Sequence, residues 1–425
     1  MKRNDFDFVA LEDLRIGLFV DLDLGWMAHP FATSRFKISS ARQIEVLKGL
    51  GVKRIRCIPS QSDLAEDEPP TADVEPVPGA QAGPGLQAAG RQHVDERAAQ
   101  QQSLALCKLR FAESVRDYQQ TMQLLHSRPM QAGQLGLQTV QRLVAEMQEQ
   151  GDIAIRLLTE VAGDKAAMHP VNVTVISLLL GRAMGLEGPA LDDLGLAAFL
   201  HDVGKSELPE RVRRPDDSFS SAEHRVYQEH VAQGLRLAKL MNLSPQAIQV
   251  IAQHHEMVDG SGFPLQLKSD AISVGGRILA LVNRYDGLCN PLKANAAMTP
   301  HEALSLIFSQ QKTRFDGAAL SSFIRMMGVY PPGSVVQLND ERHAIVVSVN
   351  SGRPLKPRLL VHEPGLPRHQ AVLLDLEQTP NTSIRRSLKP SSLPAAAMDY
   401  LQPHHRMCYF FEAVKVSANA TGPAS

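Results

Sequence analysis

The stretch LDDLGLAAFLHDVGK, residues 191–205, decides how the middle of this chain folds. Apolar residues recur through 191–200 at helical spacing, and the predicted helix runs directly into an adjacent pair, His201 and Asp202. Imidazole and carboxylate together suit first-row divalent metals such as Fe, Mn or Zn. An adjacent pair lets the carboxylate bridge two ions while the imidazole caps one of them. Lys205 follows His201 by four residues. If helix persists it lies on the same face, placed to neutralise a non-bridging phosphate oxygen.

Outward from that pair, three further places carry the same chemistry: His169 at the opening of a predicted helix, His230 within YQEHVAQG, and His254-His255 within HHEMVDGSGFP. Helical periodicity covers 137–161, 171–184, 191–200, 224–240 and 245–255, so each of these residues sits at or within a helix of one bundle. A lone histidine there is more often exposed or hydrogen-bonded than a ligand. His29, His93, His126, His224, His301 and His343 have no partner pattern and are read that way. The set with two adjacent pairs is different. It predicts a centre of two ions about 3.5–4 Å apart, which activates a water and stabilises both oxygens of an in-line phosphoryl displacement.

The rest of the chain frames this bundle. At 425 residues with 44% hydrophobic content it has material for two or three domains. Lys+Arg of 44 against Asp+Glu of 45 leave a formal net charge of −1, which excludes a global basic field for a nucleic acid polymer or an anionic membrane surface. Cys57, Cys107, Cys289 and Cys408 form no C-x-x-C pair. That argues against a disulfide framework or a thiolate zinc site and for a reducing cytoplasm. The best apolar run, VTVISLLL, is far shorter than the ~20 residues of a membrane span.

LRIGLFVDLDL and VKRIRCI read as strands and SSARQIEVLKGLG as a capped helix, a small α/β module over 1–60. Residues 61–97, with DEPPTADVEPVPGAQAGPG, have the composition of a flexible linker. From Ala98, residues Phe111, Val115, Tyr118, Met122 and Leu125 step toward Pro129 at heptad spacing, a seam read as packing within its own domain. PPGSVVQL, HAIVVSVN and PRLLVHE are short β-branched runs, expected to form a small β extension over 331–380, with 381–425 as loose tail. The predicted fold is mainly α, a helical bundle over 98–330 with a small module on either side.

HDVGK, followed in order by HVAQG, HHEMVDGSGFP and RILALVNRYDGL, resembles the HD-GYP domain, the cyclic-di-GMP phosphodiesterase branch of the HD metallohydrolases. The likeness runs from about His169 to Tyr330. GLFVDLDLGWMAHPF and LKGLGVKRIRCI resemble the small module that often precedes such domains in bacteria, and VYPPGSVVQL resembles their usual C-terminal extension. The resemblance implies an HD-type bundle with two divalent ions held by His169, His201, Asp202, His230, His254 and His255. Lys205, facing the substrate phosphate, and Asp202 would be the catalytic residues. It implies a cytoplasmic signalling hydrolase acting on cyclic di-GMP, with diguanylate-cyclase-type proteins as partners at the loop Gly262, Phe263, Pro264, and it is compatible with a homodimer. That loop carries phenylalanine for the family's tyrosine, keeping the ring and losing a hydroxyl. The change is expected to matter for loop contacts or a partner more than for metal binding.

Three departures bear on activity. Asn283 stands where the family pattern RILAVADVFDAL has its last ligand aspartate, and an amide offers one neutral oxygen in place of a carboxylate. Asp286 matches the second aspartate and is left as a substitute ligand, a support for one, or a substrate contact. Lys165 precedes His169 by four residues where three-metal members carry glutamate, so two ions are the ceiling. In DGLCNPLKAN the arginine expected at the substrate phosphates aligns with Leu292, leaving Lys293, which lacks the bidentate fork. Substrate contacts are therefore expected from Lys205, Asp286, Lys293, Gly262, Phe263 and Pro264. The retained ligands favour an enzyme that opens cyclic di-GMP to the linear dinucleotide. Asn283 and Leu292 favour a degenerate domain serving as a cyclic-di-GMP receptor or docking module. A helical scaffold that happens to hold a metal is the third reading.

Overall fold

The computed structural model describes residues 7–22, 35–39, 41–48, 54–59, 62, 84–158, 165–214, 218–291, 296–403 and 406–414. Side chains are described for these except at 7, 12, 35, 41–42, 45–46, 84–96 and 165–166. The chain divides into two compact units, Met1–Gln81 and Ala82–Ser425.

In the first unit β1 (Asp7–Ala10), β2 (Phe19–Asp21), β3 (Arg35–Lys37), α1 (Ala41–Lys48) and β4 (Arg54–Cys57) form an α/β module. The strands make an antiparallel sheet in the order β1-β4-β2-β3. Ile44 and Leu47 of α1 pack with Leu14, Leu18, Val20, Ile38, Ile55 and Cys57. The run LRIGLFVDLDL yields only the short β2, because Gly17 takes φ +96 and turns the chain just before it.

The second unit is mainly α. Its helices are α2 (Pro84–Leu124), α3 (Pro129–Glu149), α4 (Lys165–Ala183), α5 (Gly188–Leu200), α6 (Ser221–Leu240), α7 (Pro245–Gln253), α8 (Val274–Cys289), α9 (Pro300–Gln310), α10 (Gly317–Met327) and α11 (Ala395–Leu401). Helix α2 starts inside the expected linker, whose residues 61 and 63–83 lie outside the described ones. The seam Phe111, Val115, Tyr118 and Leu125 is buried in the unit's own core. At the centre lies α4, buried on every side from Pro170 to Gly181, with α2, α5, α8 and α10 packed around it. A helix this largely apolar on every face is stable in such a position, where its buried Asn172 and Thr174 find hydrogen-bond partners.

Two expectations are corrected. Residues 153–158, read as helix, form the strand β5 (Ile153–Leu158). Gly151 at φ +66 follows the end of α3, and IAIRLL is a run of largely apolar residues that fits a strand buried on both faces, which periodicity cannot tell from buried helix. The expected β extension is likewise not separate. β6 (Val335–Leu338), β7 (His343–Asn350), β8 (Arg358–Val361), β9 (Leu374–Asp375), β10 (Ile384–Leu388) and β11 (Cys408–Ala413) join β5 in one seven-stranded sheet, with the path β10-β6-β7-β5-β11. The stretch read as loose tail therefore contains two strands and α11. Its CYFFEA segment pairs with β5 from Cys408↔Leu158 to Ala413↔Ile153 because Tyr409, Phe410 and Phe411 are buried there. Residues 415–425 lie outside the described ones. Among the described residues, no helix is long and apolar enough to cross a membrane.

Candidate metal centre

Helix α5 ends on His201, and the backbone then tightens instead of continuing: Val203–Glu207 is a 3-10 turn. The expected helical spacing of Lys205 on His201 is thus replaced by a turn that brings Lys205 Nζ within 2.6 Å of Asp202 Oδ2. Gly204 is required in that turn. A Cβ there would lie 2.0 Å from the His230 carbonyl and 2.4 Å from the Gly234 nitrogen, both on α6. The same contact sets the height of His230 beside Asp202. A capping box of Ser220 and Glu223 starts α6, Ser244 caps α7, and α7 stops at Gln253 to release His254 and His255 from the helix end.

Three of the imidazoles are oriented from behind. His201 Nδ1 donates to the Ala198 carbonyl at 2.7 Å, His230 Nδ1 to the Tyr227 carbonyl at 2.5 Å, and His254 Nδ1 to the Ile251 carbonyl at 2.6 Å. A carbonyl can only accept, so the proton is on Nδ1 and Nε2 carries the lone pair. Those lone pairs converge: His169 Nε2 and His201 Nε2 are 3.2 Å apart, as are His230 Nε2 and His254 Nε2. Nitrogens in that relation need a cation between or beside them.

Asp202 divides the cluster. Its Oδ2 lies 3.4 Å from His201 Nε2 and 3.6 Å from His169 Nε2, while Oδ1 lies 3.8 Å from both His230 Nε2 and His254 Nε2. Two ligand groups result, one of His169, His201 and Asp202, the other of Asp202, His230, His254 and His255. Asp202 Oδ1 is buried and has no hydrogen-bond partner among the described residues, an arrangement expensive enough to imply a missing cation. The residues present therefore fit a metal centre. Burial opposes ionisation of Asp202, but His201 and Lys205 outweigh it and hold its carboxyl well below the usual range. Burial pushes His230 down to about 4 and His254 and His255 well below their ordinary value, so these three imidazoles are neutral and ready to ligate near pH 7.

Asp286 is fully buried, and its oxygens are engaged: Oδ2 accepts from His169 Nδ1 at 2.6 Å, and Oδ1 accepts from Asn172 Nδ2 at 3.0 Å and Asn290 Nδ2 at 2.8 Å. The expectation that it touches substrate is corrected, since no free edge faces the site; it supports His169. Asn172 and Asn290 also clamp the chain before β11, donating to the Met407 carbonyl and accepting from the Tyr409 and Met407 nitrogens. Sequence reading missed both asparagines. Asn172 had one signal, its spacing of three residues from His169 on α4.

The loop after His255 is held by a residue equally missed, Glu256, whose buried carboxylate accepts from the Leu265 and Leu267 nitrogens at 2.7 and 2.9 Å. Gly262 has no room for a Cβ, which would lie 2.4–2.6 Å from backbone atoms of Met257, His255 and Glu256. Phe263, expected at the edge of the site, packs against one of the candidate ligands. Its ring stacks on His255 with centroids 4.4 Å apart, while Pro264 is exposed. Asn283 sits half-buried on α8, one turn before Asp286, and makes no hydrogen bond among the described residues. Leu292 and Lys293 lie outside the described residues, as does the side chain of Lys165.

With the geometry in hand, comparison with known proteins is direct: residues 155–319 match the HD domain. The chain carries an HD domain. Residues 8–134 match a domain of unknown function, DUF3391. Over 360 residues this HD-domain protein is 25% identical to a cyclic di-GMP phosphodiesterase of Pseudomonas aeruginosa, covering 83% of this chain and 84% of the relative. A cyclic di-GMP phosphodiesterase of Vibrio cholerae is 33% identical over 136 residues, 30% of this chain and 27% of its own length. A 3'3'-cGAMP-specific phosphodiesterase of the same organism is 30% identical over 131 residues, 30% of this chain and 25% of its own.

Proposed function

We propose that this HD-domain protein is a metal-dependent phosphodiesterase that opens cyclic di-GMP, in bacterial signalling, to the linear dinucleotide. The carrying observation is the division of Asp202, one oxygen toward His169 and His201 and the other, unpartnered, toward His230, His254 and His255. Two divalent ions of the Fe, Mn or Zn class would be held there, with Asn283 as a weak neutral ligand. When bound they supply an activated water and charge neutralisation at the phosphoryl oxygens. Lys205, its Nζ held by Asp202 and its side chain a quarter exposed, meets a non-bridging oxygen of the scissile phosphate. Phe263 buttresses His255 and shuts water from that side of the imidazole. Lys293 and the exposed Pro264 contribute outer contacts to the dinucleotide. The loop of Gly262, Phe263 and Pro264 is also the surface on which a diguanylate-cyclase-type partner would dock.

The test is hydrolysis of cyclic di-GMP and of 3'3'-cGAMP by protein loaded anaerobically with Mn or Fe. Turnover of cyclic di-GMP that Asp202→Asn abolishes is expected. Tight binding without turnover, restored to turnover by Asn283→Asp, would replace the enzyme with the receptor reading.

A further inference from the structure

Tyr227 is a buried hydroxyl-bearing side chain beside the metal centre that the function above leaves unused. It lies three residues before His230 on α6, so both project from one face. Its ring packs with Leu208, Val212, Phe219 and Phe263 and lies 4.7 Å from the His230 ring. The hydroxyl reaches toward the cluster, 3.4 Å from His255 Nε2, and Lys205 Nζ stands 5.2 Å from the ring centroid. A buried phenol normally has a well-made hydrogen bond. Here the hydroxyl accepts from the Lys205 ammonium, itself engaged with Asp202 at 2.6 Å, and the acceptor for its own proton is the His255 imidazole 3.4 Å away, a nitrogen that a bound ion would take up.

We infer that the Tyr227 hydroxyl is a substrate-binding group, donating with Lys205 to a non-bridging oxygen of the bound phosphodiester. The inference rests on the phosphodiester reading of the centre. Two features of this chain leave a donor wanting at the phosphate. The family arginine position is Leu292, and the loop carries Phe263 in place of tyrosine. Tyr227 and Phe263 flank His255, the first edge-on at 6.0 Å between centroids and the second stacked at 4.4 Å. The hydroxyl absent from the loop is thus present on the α6 side of the same imidazole. A neutral phenol suits the place, because it donates at neutral pH without adding to the positive charge of the metals and Lys205.

Tyr227→Phe keeps the ring that the apolar cluster needs and removes only the donor. Manganese content and thermal midpoint are expected to stay as in the natural protein. kcat on cyclic di-GMP should fall about ten- to a hundred-fold, the scale of one lost donor to a charged transition state. Inorganic phosphate, titrated calorimetrically into the Mn-loaded protein, should bind about tenfold more weakly. Unchanged kcat and unchanged phosphate affinity would overturn the inference, and so would loss of manganese from the variant, which would make the hydroxyl a support for the metal ligands. If the natural protein turns over no cyclic dinucleotide, the functional reading fails and the phosphate titration alone decides the role of Tyr227.

Discussion

Asp286→Asn removes one charge and almost no volume from a side chain with no exposure, and the surrounding bonds dictate how the new amide must sit. Asn172 and Asn290 both donate to Oδ1, so the amide must place its carbonyl there. Its NH2 group then faces His169 Nδ1, which stands 2.6 Å from Oδ2 in the natural protein. Two donors cannot share that contact. His169 must either lose its support or move its proton to Nε2, the nitrogen directed at His201 and Asp202. A lost charge-assisted hydrogen bond is worth about 1.5–3 kcal/mol, and loss of the carboxylate behind a ligating imidazole typically costs ~10–100-fold in metal affinity, two figures of the same size. Calorimetric titration of the metal-free protein with Mn should therefore show one binding step weakened about 10–100-fold. The step belonging to His230, His254 and His255 should be unchanged, since the bonds of Asp286 run to His169, Asn172 and Asn290. Two steps of natural affinity in the variant would refute His169 as a ligand. Loss of both steps would refute the independence of the two halves.

Asn283→Asp should raise occupancy of the His169 half after dialysis, read by elemental analysis; no change would remove position 283 from the centre. Gly262→Ala forces a Cβ against backbone atoms 2.4–2.6 Å away, so the loop must shift and Phe263 must leave His255. A fall in stability of about 1–3 kcal/mol is expected, the usual scale of overpacking, measured by urea unfolding. The pH response of the metal-free protein follows from the buried imidazoles. His230 has a folded value of about 4 against about 6.5 unfolded, so the unfolded chain binds more protons and stability falls as pH drops from 6.5 toward 4. His230 alone contributes about 3 kcal/mol to that loss, with His254 and His255 acting in the same direction. A urea midpoint that stays flat between pH 7 and 4.5 in the presence of chelator would contradict it.

What could be read from the sequence was what repeats a local rule. The helices around the centre carry their caps and apolar stripes in place, as at Ser220-Glu223 of α6 and Ser244 of α7. Adjacent ligands such as His201-Asp202 announce themselves because two costly polar residues at a helix end need a common reason. What failed depends on pairing across distance. β5 and β11 are 250 residues apart in sequence at the pair Leu158↔Cys408, and neither alternates in a way that separates a buried strand from a buried helix or a tail. The role of Asp286 was hidden for the same reason. Its fate is fixed by Asn172 on α4, Asn290 at the end of α8 and the Met407 backbone, three partners that no local pattern connects. The stacking of Phe263 on His255 was not legible either, because it depends on how Glu256 ties down the intervening loop.

These contacts also bear on Asn283. The six imidazole and carboxylate groups proposed as ligands bring one formal negative charge, that of Asp202, and Lys205 already draws on it. Asp286 adds a second charge, but only through His169. With an amide at position 283, any pair of divalent ions leaves the centre with a large excess of positive charge. A phosphodiester entering beside Lys205 supplies the anionic oxygens that the protein does not. Binding of the second ion and of the substrate must then favour each other by the same factor, because linkage is reciprocal. On this argument Asn283 does not by itself separate an enzyme from a receptor. On the proposed two-ion reading it would shift part of the charge compensation from the protein to the ligand, and the second ion would be held fully only with the phosphodiester in place.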